Sequence, residues 1–301
     1  MYLIDGQSGL EVDEIARTTQ GGTVLYLRVV SVDRGLRRAA SVVTEAWCGA
    51  AAAVRMLRSQ GQQLAAGPHA RELRLGNLRR HPVMLVHGLG ADKSCFSAME
   101  AHLHRAGYTV YSVSYSCFGS DIEACARDLE REAAWVLEET GADRVHVVAH
   151  SLGGVVLRWA AAHTRLRDWL SIGITLGSPH RGTPTARLAP HGLPGLGKIV
   201  SQLRPGALPM DDAALGGAPG TRWVAIAGEN DVVVPARYAR LPASGNVRNA
   251  VVSSSGHMTL TRNTHCLAMI LEELGAADQI VAQPRRVHAV PTEAQVLPLT
   301  G

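Results

Sequence analysis

One serine in this sequence has the surroundings of a catalytic nucleophile. Ser151 lies in the run Ala-His-Ser-Leu-Gly-Gly (149–154), between an apolar strand-like segment and a helical pattern. A serine in such a tight turn projects its hydroxyl above the sheet, and the small residues Ala149 and Gly153 let strand and helix pass closely. The helix N-terminus offers free N–H groups to a developing oxyanion. We therefore predict that Ser151 is the nucleophile.

An acid and a base follow Ser151 in the order serine, acid, histidine. Asp231 and His257 each lie in a loop just after a β-prone apolar run, at the end of the strand where open α/β sheets bind ligands. Asp231 could instead cap the next segment, Glu229 could take its role, and His257 could be an ordinary loop residue. Because all three components occur in register, we predict a triad of Ser151, Asp231 and His257.

A glycine-rich loop follows the first core strand and is a candidate for the oxyanion hole. It reads His87-Gly88-Leu89-Gly90, and its glycines allow a tight bend. We predict that the backbone N–H groups of Leu89 and Leu152 bind the oxyanion and that His87 lies on the substrate side. Taken alone, the loop could be an ordinary glycine turn. It is not a Gly-x-Gly-x-x-Gly phosphate loop, so no dinucleotide cofactor is indicated.

Strand-like and helical segments alternate from about residue 79, which predicts an α/β fold. Apolar runs over 82–86, 108–115, 144–149, 172–176, 223–227 and 247–253 read as strands. The helices between them predict a mostly parallel sheet with helices on both faces, in one catalytic domain over 79–275. Ser120 and Glu123 have capping-box spacing and predict a helix to about Glu139.

The alternation stops at 184–221, where proline and glycine are frequent. An irregular insert of this length within a regular fold is usually functional, and we predict a short lid over the site. Its apolar residues are predicted to line an acyl site: Leu188, Leu196, Ile199, Leu203 and Leu208.

Segments on either side extend the predicted domain. Residues 1–78 form an N-terminal extension in which 23–33 is β-prone and 36–58 carries an apolar stripe at helical spacing. That helix either packs on the body or on a sibling chain, or it makes a peripheral contact with a membrane. Residues 276–301 are predicted to be an irregular tail. The oligomeric state stays open.

Composition excludes several classes of protein. Hydrophobic residues make up 46% and charged residues 19%, which is typical of a globular chain. No apolar run reaches the length of a membrane span and no secretory signal is apparent, so a cytoplasmic location, with peripheral membrane contact as an alternative, is expected. The net charge of +4 is dispersed, so nucleic acid is not expected as a partner. The five scattered cysteines do not indicate a zinc site, and no metal is expected.

These motifs resemble the α/β-hydrolase superfamily, most closely its bacterial lipase and esterase branch, over about 82–274. Besides the motifs above, Gly-Ser-Pro-His-Arg-Gly-Thr (177–183) and Gln-Leu-Arg-Pro-Gly (202–206) are similar to segments of that branch. The resemblance implies hydrolysis of a carboxylic ester, with a small-molecule ester or lipid as substrate, through an acyl-enzyme and without a cofactor. The extension 1–78 departs from secreted lipases and favours an intracellular or membrane-peripheral esterase.

Two alternatives remain open at this point. An acyltransferase or thioesterase could use the same triad, because the residues of the catalytic centre do not distinguish the acyl acceptor. A catalytically silent protein of the same fold could bind a lipid or a partner through the 36–58 helix.

Overall fold

The computed structural model describes most of the predicted domain and parts of the extension. The described residues are 3–4, 10–19, 22–32, 71–78, 80–115, 117–188, 195–207 and 221–282. The predicted 36–58 helix, Leu208 and the tail beyond Ala282 lie outside these ranges. Within these ranges no helix has the length and apolar character needed to cross a membrane.

Three strands of the extension form a small antiparallel sheet. They are β1 (Leu3–Ile4), β2 (Leu10–Thr19) and β3 (Gly22–Val32), in the order β1-β2-β3. The β-prone run at 23–33 is confirmed as β3, whereas β2 was not predicted. The adjacent polar residues Asp13 and Glu14 interrupt its apolar alternation, and the register with β3 shifts nearby, between Glu11 and Val12, so the period-two pattern is weak in the sequence.

The second sheet has seven strands in the order β10-β9-β8-β7-β5-β6-β4 and confirms the predicted fold class. All neighbours pair in parallel except β4, which pairs antiparallel with β6 at the edge. The strands are β4 (Leu73–Arg74), β5 (Val83–Val86), β6 (Val110–Ser112), β7 (Val145–His150), β8 (Leu170–Leu176), β9 (Arg222–Gly228) and β10 (Val247–Val252).

Helices cover both faces of this sheet, as predicted. They are α1 (Ser97–Arg105), α2 (Ile122–Thr140), α3 (Leu152–His163), α4 (Leu166–Trp169), α5 (Thr185–Leu188), α6 (Gly197–Gln202), α7 (Ala236–Ala239) and α8 (Thr264–Ala282). Strand β5 shows how the core divides. Met84 and Val86 pack in one buried cluster with α2 and α3, whereas Val83 and Leu85 pack in the other with α1 and α8. Burial on both faces explains why the central strands read as continuous apolar runs.

The seven-stranded sheet begins earlier than residue 79. Leu73 and Arg74, predicted as part of the extension, pair with Tyr111 and Val110 of β6. Gly76 then passes so close to the Tyr108 main chain that a β-carbon there would lie 2.4 Å from the Tyr108 carbonyl oxygen. A strand of two residues is too short to show a period, so only its tertiary pairing reveals it.

Helix α2 is capped by Asp121 and not by Ser120. The Asp121 carboxylate accepts the Ala124 N–H at 2.7 Å, and the helix runs to Thr140 before Gly141 in the left-handed conformation. The predicted helix is therefore confirmed with its start shifted. An aspartate directly after a serine is an equally good cap, so spacing to Glu123 alone selected the wrong residue.

The last helix continues past the predicted end of the domain, so residues 276–282 are helical and not irregular. Gly275 lies within α8 and does not end it. One helical turn later, Asp278 accepts the Tyr108 hydroxyl at 3.0 Å and lies 2.9 Å from Nε2 of the buried His146. Burial would raise the pKa of Asp278, but its contacts with His146 and Tyr108 lower that pKa below the ordinary value. These contacts outweigh the low helix propensity of one glycine.

We expect Asp278→Ala to destabilise the folded domain. The change leaves the imidazole of His146 and the hydroxyl of Tyr108 without their acceptor, and an unsatisfied buried polar group costs about 1–3 kcal/mol. Chemical denaturation should therefore show a lower free energy of unfolding. Asp143→Ala is the matched control, because Asp143 is 82% exposed and its carboxylate lies 3.7 Å from His81. Equal stability of the two variants would contradict the role given to Asp278.

Candidate active site

The main chain at Ser151 has the strained geometry of a sharp strand-to-helix turn. Ser151 separates β7 from α3 with φ 53° and ψ −124°, a region that side-chain-bearing residues seldom occupy. Its N–H donates to the Leu176 carbonyl at 2.9 Å. Two residues later, a β-carbon on Gly153 would lie 2.5 Å from the Val86 carbonyl oxygen. The glycine of the motif is therefore required by the close approach of α3 to β5.

A line of hydrogen bonds joins the three predicted catalytic side chains. Nε2 of His257 lies 3.0 Å from the Ser151 hydroxyl oxygen, and its Nδ1 lies 2.8 Å from one Asp231 carboxylate oxygen. The other carboxylate oxygen accepts the N–H groups of Val233 and Val234. Since a carboxylate accepts, Nδ1 of His257 carries the proton, and its Nε2 lone pair faces the serine hydroxyl.

Glu229, the alternative considered for the acid, and His265, the next histidine along the chain, lie elsewhere. Glu229 is exposed and accepts the Ser254 N–H at 3.1 Å, whereas the carboxylate of Asp231 is completely buried beside His257. His265 is exposed at the start of α8. Geometry thus brings together Ser151, Asp231 and His257 and leaves Glu229 and His265 outside.

Gly177 makes room for the Asp231–His257 pair, a role that its sequence motif did not reveal. It has φ 55°, and a β-carbon there would lie 3.0 Å from the Asp231 carboxylate and 3.1 Å from His257 Nδ1. A left-handed glycine between β8 and the insert therefore borders the site directly. Such a contact depends on three chain segments, so spacing along one of them cannot indicate it.

The predicted oxyanion loop lies against the nucleophile. A β-carbon at Gly88 would be only 2.8 Å from the Ser151 β-carbon, so this loop and the serine turn touch. Leu89 follows as a half-buried residue packed on the core, and Leu152 is completely buried at the first position of α3. Oxyanion binding by the N–H groups of Leu89 and Leu152 stays a prediction.

His87 supports this loop from inside the protein. It is 4% exposed, and its ring stacks on Tyr115 with centroids 4.5 Å apart. The Tyr115 hydroxyl donates to the His87 carbonyl at 2.6 Å, and burial lowers the pKa of the His87 imidazole. His87 is thus a packed residue behind the loop rather than a surface open to substrate, and Tyr115 is a supporting residue that the sequence analysis missed.

The described parts of the insert pack on the body of the domain. Ile199 is completely buried and Leu203 nearly so, both in the core cluster that includes Leu152, and Leu196 packs against this cluster half-buried. This corrects the prediction for Ile199, which is here a core residue and not a wall of an open acyl site. For Leu196 and Leu203 that role stays a prediction. Leu188 ends α5, and its side chain lies outside the description, as does Leu208.

Polar contacts attach the insert on two sides. Gln202 accepts the Ile122 N–H at the start of α2 with its side-chain oxygen, and Lys198 forms an ion pair with Asp121 beside it. On the other side, the hydroxyls of Thr183 and Thr185 both donate to the Val233 carbonyl, two residues after Asp231. The insert and the residue before it therefore connect the loop that carries Asp231 to the N-terminus of α2.

Two further histidines of this domain are buried and neutral. Burial lowers the pKa of His150 to about 3, helped by the nearby charge of His257, and burial lowers that of His180 to about 3 as well. Across the ranges that the structure covers, no group of three His, Cys, Asp or Glu side chains could hold a metal ion.

A mostly parallel sheet that carries a serine turn, a histidine loop and an acid loop at one edge defines the α/β-hydrolase class. The model of the alpha/beta hydrolase family matches residues 83–298. The chain therefore belongs to the alpha/beta hydrolase family.

Individual relatives match at a greater distance. A triacylglycerol lipase of Burkholderia plantarii is 32% identical over 161 residues, which is 51% of this chain and 44% of that protein. A triacylglycerol lipase of Pseudarthrobacter phenanthrenivorans is 36% identical over 115 residues, 36% of this chain and 35% of its own length. The matches thus span less than half the length of these curated relatives.

Solved structures support the fold. The mature lipase BlEst2 of Bacillus licheniformis has a TM-score of 0.59 at 20% identity, over 69% of this chain and 99% of that one. A thermophilic esterase of Thermogutta terrifontis has a TM-score of 0.51 at 21% identity, over 69% of this chain and 93% of that one.

Gly177→Ala tests the space beside the catalytic pair. The new methyl group pushes on the Asp231–His257 hydrogen bond, and a displacement near 1 Å costs on the order of a hundredfold in rate. We expect ester turnover per folded protein to fall by about this factor. Gly141→Ala is the matched control, since Gly141 has φ 65° and a β-carbon there meets nothing within 4 Å. Similar activity losses in both variants would point to backbone strain alone.

The buried neutral histidines predict a loss of stability in acid. Below a pH near 6.5 the unfolded chain takes up protons at His150 and His180, whereas the folded protein stays unprotonated there down to about pH 3. The folded pKa is the lower one, so stability is lost as pH falls through this window. The thermal midpoint should decline accordingly, and less steeply in His180→Asn than in His163→Asn, which alters an exposed residue. Equal slopes would contradict the prediction.

Proposed function

We propose that this chain is a serine hydrolase of carboxylic esters, with lipid-like esters as substrates and an acyl-enzyme intermediate. The observation that carries the proposal is the line of hydrogen bonds from Ser151 through His257 to the buried Asp231. Nucleophile, base and orienting acid stand within hydrogen-bond reach in the order that acyl transfer needs. The bacterial relatives named as triacylglycerol lipases point to the same reaction.

The geometry supports the following steps. The Ser151 hydroxyl attacks the ester carbonyl as Nε2 of His257 removes its proton, and Asp231 stabilises the imidazolium through Nδ1. The N–H groups of Leu89 and Leu152 are assigned to the oxyanion. His257 then protonates the leaving alcohol. Water enters, loses a proton to His257 and releases the acid from Ser151 by the same route.

Apolar surface near the site favours a lipid-like acyl group. Val232 and Val233 directly follow Asp231 and are 50% and 36% exposed. Phe118 is 47% exposed, and its ring lies against Gly195 of the insert. Exposed apolar side chains on the loop of the acid and beside the insert suit a hydrocarbon chain better than a charged ester.

Ser151→Ala is the direct test of this function. Loss of the nucleophile should lower kcat for p-nitrophenyl esters by at least about a thousandfold, with the fold intact by circular dichroism. Ser254→Ala is the matched control, because Ser254 also has a positive φ of 56° but is exposed outside the triad. A fluorophosphonate should label the natural chain and Ser254→Ala, and not Ser151→Ala.

Substrate preference follows from the same assay. A series of p-nitrophenyl esters from acetyl to palmitoyl, with and without emulsion, should show higher kcat/KM for longer chains than for acetyl.

Labelling and turnover that persist in Ser151→Ala would contradict the proposed nucleophile. A natural chain that neither turns over esters nor reacts with the fluorophosphonate would identify a silent member of the fold.

A further inference from the structure

His150 lies where three segments of the site meet. It directly precedes Ser151, and its ring is 2% exposed. On one side, its Nε2 lies 3.0 Å from the His257 carbonyl oxygen, with the two ring centroids 4.8 Å apart. On the other side is the oxyanion loop, where a β-carbon on Gly88 would lie 3.3 Å from His150 Nδ1. One buried side chain therefore contacts the base loop and the oxyanion loop from the strand that carries the nucleophile.

The hydrogen bond fixes the tautomer of this ring. A carbonyl oxygen only accepts, so Nε2 of His150 carries the proton and Nδ1 carries a lone pair. Among the residues described, that Nδ1 has no hydrogen-bond partner. A second proton, on Nδ1, would lie against Gly88 without an acceptor. It would also place a positive charge beside His257, whose own imidazole must become positively charged during catalysis. His150 is therefore a neutral donor to a single acceptor.

The accepting carbonyl belongs to the residue that performs the proton transfer. Other hydrogen bonds of the loop around His257 involve its neighbours, for example Asn230 N–H to the Ser255 carbonyl at 2.9 Å and Gly256 N–H to the Thr259 hydroxyl oxygen at 2.9 Å. These hydrogen bonds hold neighbours of His257, whereas the bond from His150 holds the main chain of His257 itself. Loosening this bond lets the main chain of His257 shift, and the contact with Asp231 alone then has to keep the imidazole facing Ser151.

We propose that His150 is a positioning residue, whose Nε2–H holds the main chain of His257 so that its imidazole stays aligned between Ser151 and Asp231. This inference rests on the proposed esterase function. It goes beyond the triad, because His150 does not touch the reacting atoms. Its effect falls on the chemical step, since alignment of the base governs kcat and leaves ground-state binding largely unchanged.

Two nearly isosteric substitutions separate hydrogen bonding from packing. Glutamine at 150 places an amide N–H near the position of Nε2, whereas methionine has a similar length without a donor. We expect His150→Met to lower kcat for p-nitrophenyl butyrate about 10- to 100-fold, with KM within about threefold of the natural value. His150→Gln should recover most of the lost kcat. A side chain that only fills space would give the two variants the same kcat.

His180→Met is the matched control for loss of a buried histidine. His180 is 2% exposed, and its Nε2 makes a 3.0 Å hydrogen bond to the Thr175 hydroxyl oxygen, away from His257. We expect His180→Met to lower the thermal midpoint about as much as His150→Met, with kcat per folded molecule changed less than about threefold. If His150→Met does not fold, His150→Asn replaces it, because the shorter amide does not reach the His257 carbonyl. The kcat of His150→Asn should then stay below that of His150→Gln.

Fluorophosphonate labelling separates failure of this inference from failure of the proposed function. The expected result is rapid labelling of Ser151 in the natural chain and slower labelling in His150→Met, with the rate restored in His150→Gln. Equal kcat and equal labelling in the Gln and Met variants of an active enzyme would overturn the positioning role alone. A natural chain that neither labels nor hydrolyses esters would overturn the proposed function and the positioning role with it.

Discussion

The close approach of α3 to the end of β5 is the constraint on which the site depends. Only a glycine at 153 fits against the Val86 carbonyl, and the chain before it must turn so sharply that Ser151 takes a positive φ. Such a conformation costs about 1–3 kcal/mol and persists only where the surroundings over-determine it. Here a completely buried β7 and the Ser151 N–H bond to Leu176 supply that support. The strain keeps the hydroxyl clear of the sheet, where His257 can reach it.

Strand order then brings the other components to the same place. Strands β5, β7, β8, β9 and β10 run parallel, so the loops after them emerge at one edge. Gly88 follows β5, Ser151 follows β7, Gly177 follows β8, Asp231 follows β9 and His257 follows β10. Residues 106 and 26 positions apart along the chain thereby become hydrogen-bonded neighbours. The parallel sheet converts the order of motifs in the sequence into the geometry of a site, which is why that order was informative.

What the sequence could predict is whatever a local pattern encodes. The central strands, the serine turn and the loops of Asp231 and His257 each have a signature within a few residues, and the structure brings those three side chains together. Features set by tertiary contact had no such signature: the edge strand at Leu73–Arg74, the continuation of α8 past Gly275, and the space that Gly177 leaves for Asp231 and His257. Ile199 shows the same limit, because an apolar residue in an insert looks alike whether it lines a site or anchors the insert to the core.

The buried histidines link stability to catalysis in this fold. His150 and His180 each satisfy Nε2 and leave Nδ1 without a partner among the described residues, and such an atom costs about 1–3 kcal/mol. An apolar residue at 150 would avoid that cost and would also avoid the acid lability of a neutral buried imidazole. It could not donate to the His257 carbonyl. A residue that breaks a packing rule next to the nucleophile is therefore best explained by the alignment it provides, because sites of function are where such local costs are retained.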